Sequence, residues 1–268
     1  MQKYKLIACD VDGTLLNSRR KLSEKTVSAV GKAIDKGIIF VVATGRPYEG
    51  ALKVSRPLGI SDDGAFILFN GALVKVSGKT IFSSQISEET AKTIVKEGIC
   101  RNVTVIVWKS DGMYTEKPCE KIDFYKSVSG VEPKYVDDLT KECKGVIKVL
   151  WYGEPDTTPV YLEEMRAILD KKASVYTSRV DFLEFVDVKC SKKQALYKIA
   201  EYFGVKREET VAVGDGDNDI PMLEGAGLSV AMGNADENVK KICDEVTDDC
   251  DSYGVAKIID KLILNGRL

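Results

Sequence analysis

The chain has 268 residues, 44% hydrophobic and 30% charged, with 39 basic against 41 acidic side chains and a formal net charge of −2. These are the proportions of an ordinary globular protein, long for one core and comfortable for two, with neither the bias of a disordered chain nor the basic surface that nucleic-acid binding needs. Histidine is absent, which excludes a Ser-His-Asp triad, a histidine general base and a histidine-ligated metal, and leaves proton transfer to carboxylates, lysine, cysteine or tyrosine.

The first element is a strand, KLIACD, whose apolar run ends in Asp10 and Asp12 within KLIACDVDGTLLNS, residues 5 to 18. The preceding residues carry no long apolar segment with a cleavage site, so no signal peptide is visible and a cytoplasmic protein is expected. SEKTVSAVGKAIDKG follows as a helix, with Ser23 as N-cap, Thr26 in the first turn and Gly37 as the stop. Next come the strand IIFVVATG, the helix PYEGALKVSRPLG and the strand AFILFNG. The longest clean apolar stretch, IIFVVA, falls far short of the about 20 residues of a membrane span. Strands alternating with helices of this length predict a parallel sheet with crossover helices.

From residue 83 to 188 the pattern changes to SEETAKTIVKEGI, VTVIVWKSDGMYTEK, GVIKVLWYGE, PVYLEEMRAILDK and SVYTSRVDFLEFVD. Strands outnumber helices here, and hairpins around the DG and GE turns predict an α+β insertion with an antiparallel sheet. The alternation then resumes with the helix SKKQALYKIAEYFG, the strand TVAVGD, the short helix IPMLEGAG, the strand LSVAMG and two closing helices. The expected organisation is an α/β core from residues 1–82 and 189–268, interrupted by a domain at 83–188. Seven cysteines at 9, 100, 119, 143, 190, 243 and 250 form no C-x-x-C pair, which speaks against a disulfide framework or a zinc site.

Ligands of a parallel α/β sheet sit beyond the carboxyl ends of its strands, and three such ends carry chemistry. Asp10 and Asp12 repel one another unless a cation lies between them, and Mg²⁺, which favours hard oxygen ligands, would remove the conflict; a solvated acidic turn is the alternative. The second end, GDGDNDIPML, offers Asp215, Asp217 and Asp219 as further oxygen donors, or else is a surface turn. At the third, ATGRP, the Thr44 hydroxyl, the Gly45 amide and Arg46 suit an anion such as phosphate, while Thr44 equally suits the N-cap of a helix starting near Pro47. Lys192 opens the helix where the sheet resumes and can reach the same rim; taken singly, Lys189, Lys192 and Lys193 read as surface residues.

Assembled, these residue types describe phosphoryl transfer to an aspartate. Asp10 would attack phosphorus with Mg²⁺ bridging it to the phosphate, and Thr44, Gly45 and Lys192 would neutralise the other phosphoryl oxygens. Asp12, two residues along the strand and on the same face, would protonate the leaving alcohol and then activate water.

Four motifs in order, DVDGT at 10–14, ATGR at 43–46, CSKKQAL at 190–196 and GDGDNDIPML at 214–223, with FNGA at 69–72 before the insertion, resemble the haloacid dehalogenase superfamily of aspartate-nucleophile phosphatases, and within it the Cof-like group with a large α/β cap. The resemblance implies a Rossmann-like parallel-sheet core and a mobile cap that closes over the substrate. It implies Asp10 as nucleophile and Mg²⁺ ligand, Asp12 as general acid/base with its main-chain carbonyl on the metal, and Thr44 and Lys192 on the phosphoryl group. Asp215 would complete the metal ligands, Asn218 would lie near the phosphate, and Asp219 would support the metal through water or Lys192. Lys193 stands where this group often has glycine.

The expected substrate is a small phosphorylated metabolite, with sugar phosphates foremost, and no nucleic acid, no membrane and a monomer or weak homo-oligomer are expected. Within the cap, the segment from Tyr176 to Glu184, with Arg46 from the core, is expected to select the leaving group. A phosphomutase is the nearest rival. A phospho-aspartate receiver, a non-catalytic sensor, is disfavoured by Asp12, which would hasten hydrolysis, and a dehalogenase by having no use for Asp12 or for Mg²⁺.

Overall fold

Leu6–Asp10, buried along its whole length, forms β1 of the computed structural model, which describes residues 3–268. The chain continues through α1 (Glu24–Asp35), β2 (Ile39–Ala43), α2 (Tyr48–Ser55), β3 (Ala65–Leu68), β4 (Leu73–Val76) and β5 (Lys79–Ser83). Next come α3 (Glu88–Cys100), β6 (Thr104–Lys109), β7 (Gly112–Thr115), α4 (Glu120–Ser129), β8 (Pro133–Tyr135), β9 (Lys148–Tyr152), α5 (Thr158–Leu169), β10 (Ala173–Arg179) and β11 (Phe182–Asp187). It finishes with α6 (Lys192–Tyr202), β12 (Thr210–Gly214), α7 (Ile220–Gly225), β13 (Leu228–Ala231), α8 (Glu237–Lys241), β14 (Glu245–Val246) and α9 (Gly254–Leu264). No helix among the described residues is long and apolar enough to cross a membrane.

Two units result, Met1–Phe82 with Ser191–Leu268, and Ser83–Cys190. The first holds an eight-stranded sheet in the order β14-β13-β12-β1-β2-β3-β4-β5. From β14 to β3 each neighbouring pair is parallel, and β4 turns back antiparallel on β3. Continuous apolar runs such as LIACD and IFVVA are what a parallel strand covered on both faces requires. Leu6 and Ala8 of β1 and Val41 and Ala43 of β2 pack with Leu196 and Ile199 of α6 and Met222 and Leu223 of α7. The alternate residues Ile7, Cys9, Phe40 and Val42 are buried as well. Helix α1 starts as its sequence indicates, with the Ser23 hydroxyl accepting from the Thr26 N–H at 3.0 Å and Thr26, Ala29, Val30 and Ala33 forming its buried stripe.

The second unit holds a six-stranded sheet in the order β10-β11-β9-β6-β7-β8. Its pairs are antiparallel except β7 with β8, which is parallel. The DG sequence closes the β6–β7 hairpin as expected, with Lys109 opposite Gly112. The GE sequence does not close a hairpin: the Glu154 carbonyl accepts from the N–H groups of Thr157 and Thr158 at 3.1 and 3.0 Å and leads into α5, with Pro159 in its first turn. Helix α4, which the periodicity leaves unmarked because its buried positions are only Ile122, Tyr125 and Ser129, ends at Gly130. The turn after β11 is closed by Asp187, whose carboxylate accepts from the Lys189 N–H at 3.1 Å and whose carbonyl accepts from the Cys190 N–H at 2.8 Å.

Candidate active site

The centre of the sheet brings the separated motifs together. β1 lies between β12 and β2, both parallel to it, with Cys9 level with Val213 on one side and Asp10 level with Ala43 on the other. Asp10 therefore ends its strand beside the turn that carries Thr44 and beside the loop that carries Asp215. Carboxylate oxygens of Asp10, Asp215 and Asp219 lie within 4.8 Å of one another.

Lys192 is the cation of this cluster. As the first residue of α6 it is fully buried, and its Nζ donates to Asp10 Oδ1 at 2.6 Å and Asp219 Oδ1 at 2.5 Å. Lys189 is exposed and Lys193 half-buried, so one lysine of the three enters the site. Gly71 admits it: this residue has φ of +100°, and a Cβ there would stand 2.3 Å from the Ser191 carbonyl oxygen. A side chain at position 71 would push the start of α6 away from the sheet.

The acidic loop after β12 is folded around Asp219. Oδ2 of that side chain accepts from the Asp215 and Gly216 N–H groups at 3.1 and 3.0 Å, leaving Oδ1 for Lys192. Asp215 is fixed from the first motif, where Thr14 Oγ1 donates to its Oδ1 at 2.7 Å. Gly13, at φ +87°, allows that approach, since a Cβ would lie 2.2 Å from Asp215 Oδ2. Asp217 is exposed and takes the Asn238 amide at 2.9 Å, outside the cluster.

The rim is built from the other predicted residues. Asp12, with 41% of its side chain exposed, is held on both oxygens by Arg46, Nε to Oδ2 at 2.8 Å and Nη2 to Oδ1 at 2.5 Å. Thr44 is buried, and its hydroxyl accepts from the Arg46 N–H at 3.1 Å. Pro47 stands at the N-cap of α2 without a side-chain cap, so the Thr44 hydroxyl serves the turn rather than the helix, and its own proton can be given to an anion. Gly45 lies between them. Asn218 is buried and donates from Nδ2 to Asn70 Oδ1 at 3.1 Å. Asn70, left-handed at φ 56°, also donates its N–H to the Thr44 carbonyl at 3.1 Å and links two motifs.

Electrostatics follow from burial. Lost hydration, with the Asp219 charge added, pushes the Asp10 carboxyl well above the ordinary range, and Lys192 only partly offsets this. Burial and Asp219 likewise push Asp215 up to about 7 against the Thr14 hydrogen bond. Burial pulls the Lys192 ammonium down, but the Asp10 and Asp219 charges outweigh it and hold Lys192 protonated. Three carboxylates against one ammonium leave a formal surplus of two negative charges, in an all-oxygen donor set. That surplus and donor set fit a hard divalent cation.

Thr14, Asn70 and Gly71 take part here although sequence reasoning gave them no role. Each lies inside a recognised segment, DVDGT or FNGA, and membership of those segments was the available signal. Arg46, expected on the phosphate, grips Asp12 instead of standing open.

The chain is similar to known proteins along nearly its whole length. The family described as haloacid dehalogenase-like hydrolase matches residues 7–259. Phosphatase YwpJ of Bacillus subtilis is 30% identical, with 97% of this chain and 100% of that protein covered. The 5-amino-6-(5-phospho-D-ribitylamino)uracil phosphatase YitU of the same organism is 29% identical over 95% and 96%. Among solved structures, a HAD subclass IIB sugar phosphatase superposes with a TM-score of 0.83 at 26% identity, covering 97% of this chain and 99% of that one.

Proposed function

The chain belongs to the haloacid dehalogenase-like hydrolases and is a phosphatase, and we propose that its reaction is the Mg²⁺-dependent hydrolysis of a small phosphorylated metabolite through an aspartyl-phosphate on Asp10. The observation that carries this reading is the Lys192 ammonium shared between Asp10 and Asp219, with Asp215 alongside, beyond the carboxyl ends of adjacent parallel strands.

A carboxylate of Asp10 attacks the phosphorus of the ester opposite the leaving oxygen, forming the Asp10–phosphorus bond as the ester bond breaks. Lys192 holds Asp10 in place and gives a charge-assisted hydrogen bond to a phosphoryl oxygen. The Thr44 hydroxyl, the Gly45 amide and the Asn218 amide donate to the remaining oxygens. Arg46 holds both Asp12 oxygens, so it has to release one of them before a protonated Asp12 gives its proton to the departing alcohol and then takes one from the water that attacks the phospho-aspartate, which regenerates Asp10 and releases inorganic phosphate. Asp10, Asp215 and the main-chain carbonyl of Asp12 would hold the divalent cation, with Asp219 behind them. That cation would supply positive charge to the phosphoryl oxygens.

We assign leaving-group selection to the unit Ser83–Cys190 as the cap. Its β10–β11 turn carries a built feature: Arg179 pairs with Asp181 at 2.8 and 3.0 Å and lies over the rings of Phe124 and Phe182 at 4.9 and 4.8 Å. A polyhydroxylated phosphomonoester is the favoured substrate class, supported by the sugar phosphatase and the phosphoribitylamino-uracil phosphatase among the similar proteins. The test is phosphate release from a panel of phosphorylated metabolites with and without Mg²⁺, using Asp10→Asn as the blank. Release that persists in the variant, or in excess EDTA, overturns the mechanism.

A further inference from the structure

Asn234 lies in the loop between β13 and α8, outside all four motifs. Its side chain is exposed, yet its amide makes three hydrogen bonds. Nδ2 donates to the Gly13 carbonyl at 2.9 Å and to Asp215 Oδ2 at 3.2 Å, and Oδ1 accepts from the Cys250 N–H at 2.9 Å. An exposed amide is ordinarily hydrated and free to turn, and holding it still costs side-chain entropy. With acceptors at its nitrogen end and a donor at its oxygen end, the orientation is set by its partners.

The effect falls on Asp215. Its Oδ1 takes the Thr14 hydroxyl at 2.7 Å and its Oδ2 takes Asn234, so neutral donors on both oxygens fix the plane of the carboxylate. Through Gly13 the same amide ties the loop after β1 to the loop after β12. A second tie runs parallel to it, from the Ser18 N–H and hydroxyl to Asp251 Oδ1 at 3.1 and 3.0 Å, and anchors the turn that presents the Cys250 N–H. Being uncharged, Asn234 does this without altering a charge balance already two short of neutral.

We infer that Asn234 is a positioning residue that presents Asp215 to the divalent cation and holds the first and fourth motifs at their working separation. This rests on the cation-dependent reading of the site given above. Partners that orient a ligating carboxylate typically contribute ~10–100-fold to metal affinity when removed.

The experiment is titration calorimetry of EDTA-dialysed full-length protein with Mg²⁺ and with Mn²⁺, alongside the Mg²⁺ dependence of turnover. Asn234→Ala is expected to raise the dissociation constant for the ion by ~10–100-fold, and to raise the half-saturating Mg²⁺ concentration for turnover by the same factor while the limiting rate at saturating Mg²⁺ is kept. Asn238→Ala, which removes only the amide on exposed Asp217, is expected to leave the ion's affinity at the wild-type value. Wild-type binding with an unchanged dissociation constant in Asn234→Ala overturns the inference and leaves the phosphatase reading standing. Absence of ion binding in the wild type overturns the cation reading and this inference with it. If Asn234→Ala does not fold, judged by its thermal melt, Asn234→Ser, whose hydroxyl is too short to reach Asp215, is read by the same two criteria.

Discussion

Arg46 meets Asp12 edge-on, its Nε and Nη2 each facing a different carboxylate oxygen at 2.8 and 2.5 Å. The two residues come from different motifs, in the segments that follow β1 and β2, and the pairing orients the group assigned to proton transfer. A two-point grip of this kind restricts rotation in a way a single ammonium cannot. Asp12→Asn is expected to slow turnover by ~10²–10⁴, the usual contribution of general acid–base catalysis. Arg46→Lys, which keeps the charge and loses the fork, is expected to fall by up to ~10²-fold through misplacement of Asp12. The double variant is expected to be no slower than Asp12→Asn alone. Steady-state rates at saturating substrate check all three, and strict additivity would separate Arg46 from Asp12.

The pH behaviour of the cation-free protein follows from Asp215. Its carboxyl stands at about 7 in the folded chain against an ordinary aspartate value of 3.8, so between those values the folded state binds more protons than the unfolded one. Stability then falls as pH rises through that interval, because ∂ΔG/∂pH is negative when the native state holds the extra proton. Asp215→Asn removes the ionisation. In EDTA, the melting temperature of wild type relative to Asp215→Asn is expected to match it best near pH 4 and to drop steadily until about pH 7, levelling off beyond. Added Mg²⁺ is expected to raise the wild-type melting temperature more at pH 8 than at pH 5. A difference between the two proteins that does not change with pH would refute the electrostatic account.

Gly71→Ala tests how Lys192 is delivered. A methyl group at φ +100°, 2.3 Å from the Ser191 carbonyl oxygen, meets both backbone strain and a backbone clash. A destabilisation of about 1 kcal/mol or more is expected, read as a lowered urea midpoint, together with a fall in turnover as Lys192 withdraws from Asp10. Gly37→Ala, where a Cβ meets nothing within 4 Å, is the control for left-handed strain alone; its turnover is expected to remain at the wild-type level.

Asp10→Asn is expected to abolish phosphate release while making the cation-free protein more resistant to heat at pH 8. The carboxyl sits well above its ordinary range because burial and Asp219 oppose its ionisation, and an amide of the same shape carries no such penalty. A melting curve in EDTA beside an activity assay separates the two effects.

Much of this site was readable because its parts are local. A run such as LIACD announces a strand covered on both faces, and the residues immediately after it fall at the end where ligands bind. The same holds for VVATGR and TVAVGD. What escaped reading depends on contacts across the chain. Lys192 is set apart from Lys189 and Lys193 in sequence by its place at the start of α6 and by the CSKKQAL segment, but its full burial and its place against Gly71 are seen only in the fold. Arg46 lies 34 residues from Asp12 and Asn234 lies 221 from Gly13, and no periodicity encodes either pairing. In the second unit, α4 has too few apolar positions to announce itself, and GE reads as a turn for either a hairpin or a helix entrance until Thr157 and Thr158 choose the latter.

The unbalanced charge of this carboxylate cluster also implies an order of events. With Asp10, Asp215 and Asp219 ionised, Lys192 is the one ammonium among three carboxylates, and a phosphate dianion approaching them meets net repulsion, so the ester has little reason to enter first. Once an ion has settled, the same walls become attractive. Under the cation-dependent mechanism proposed above, occupancy by the anion is then conditional on the metal, and free Mg²⁺, rather than the abundance of any ester, sets when the reaction can begin.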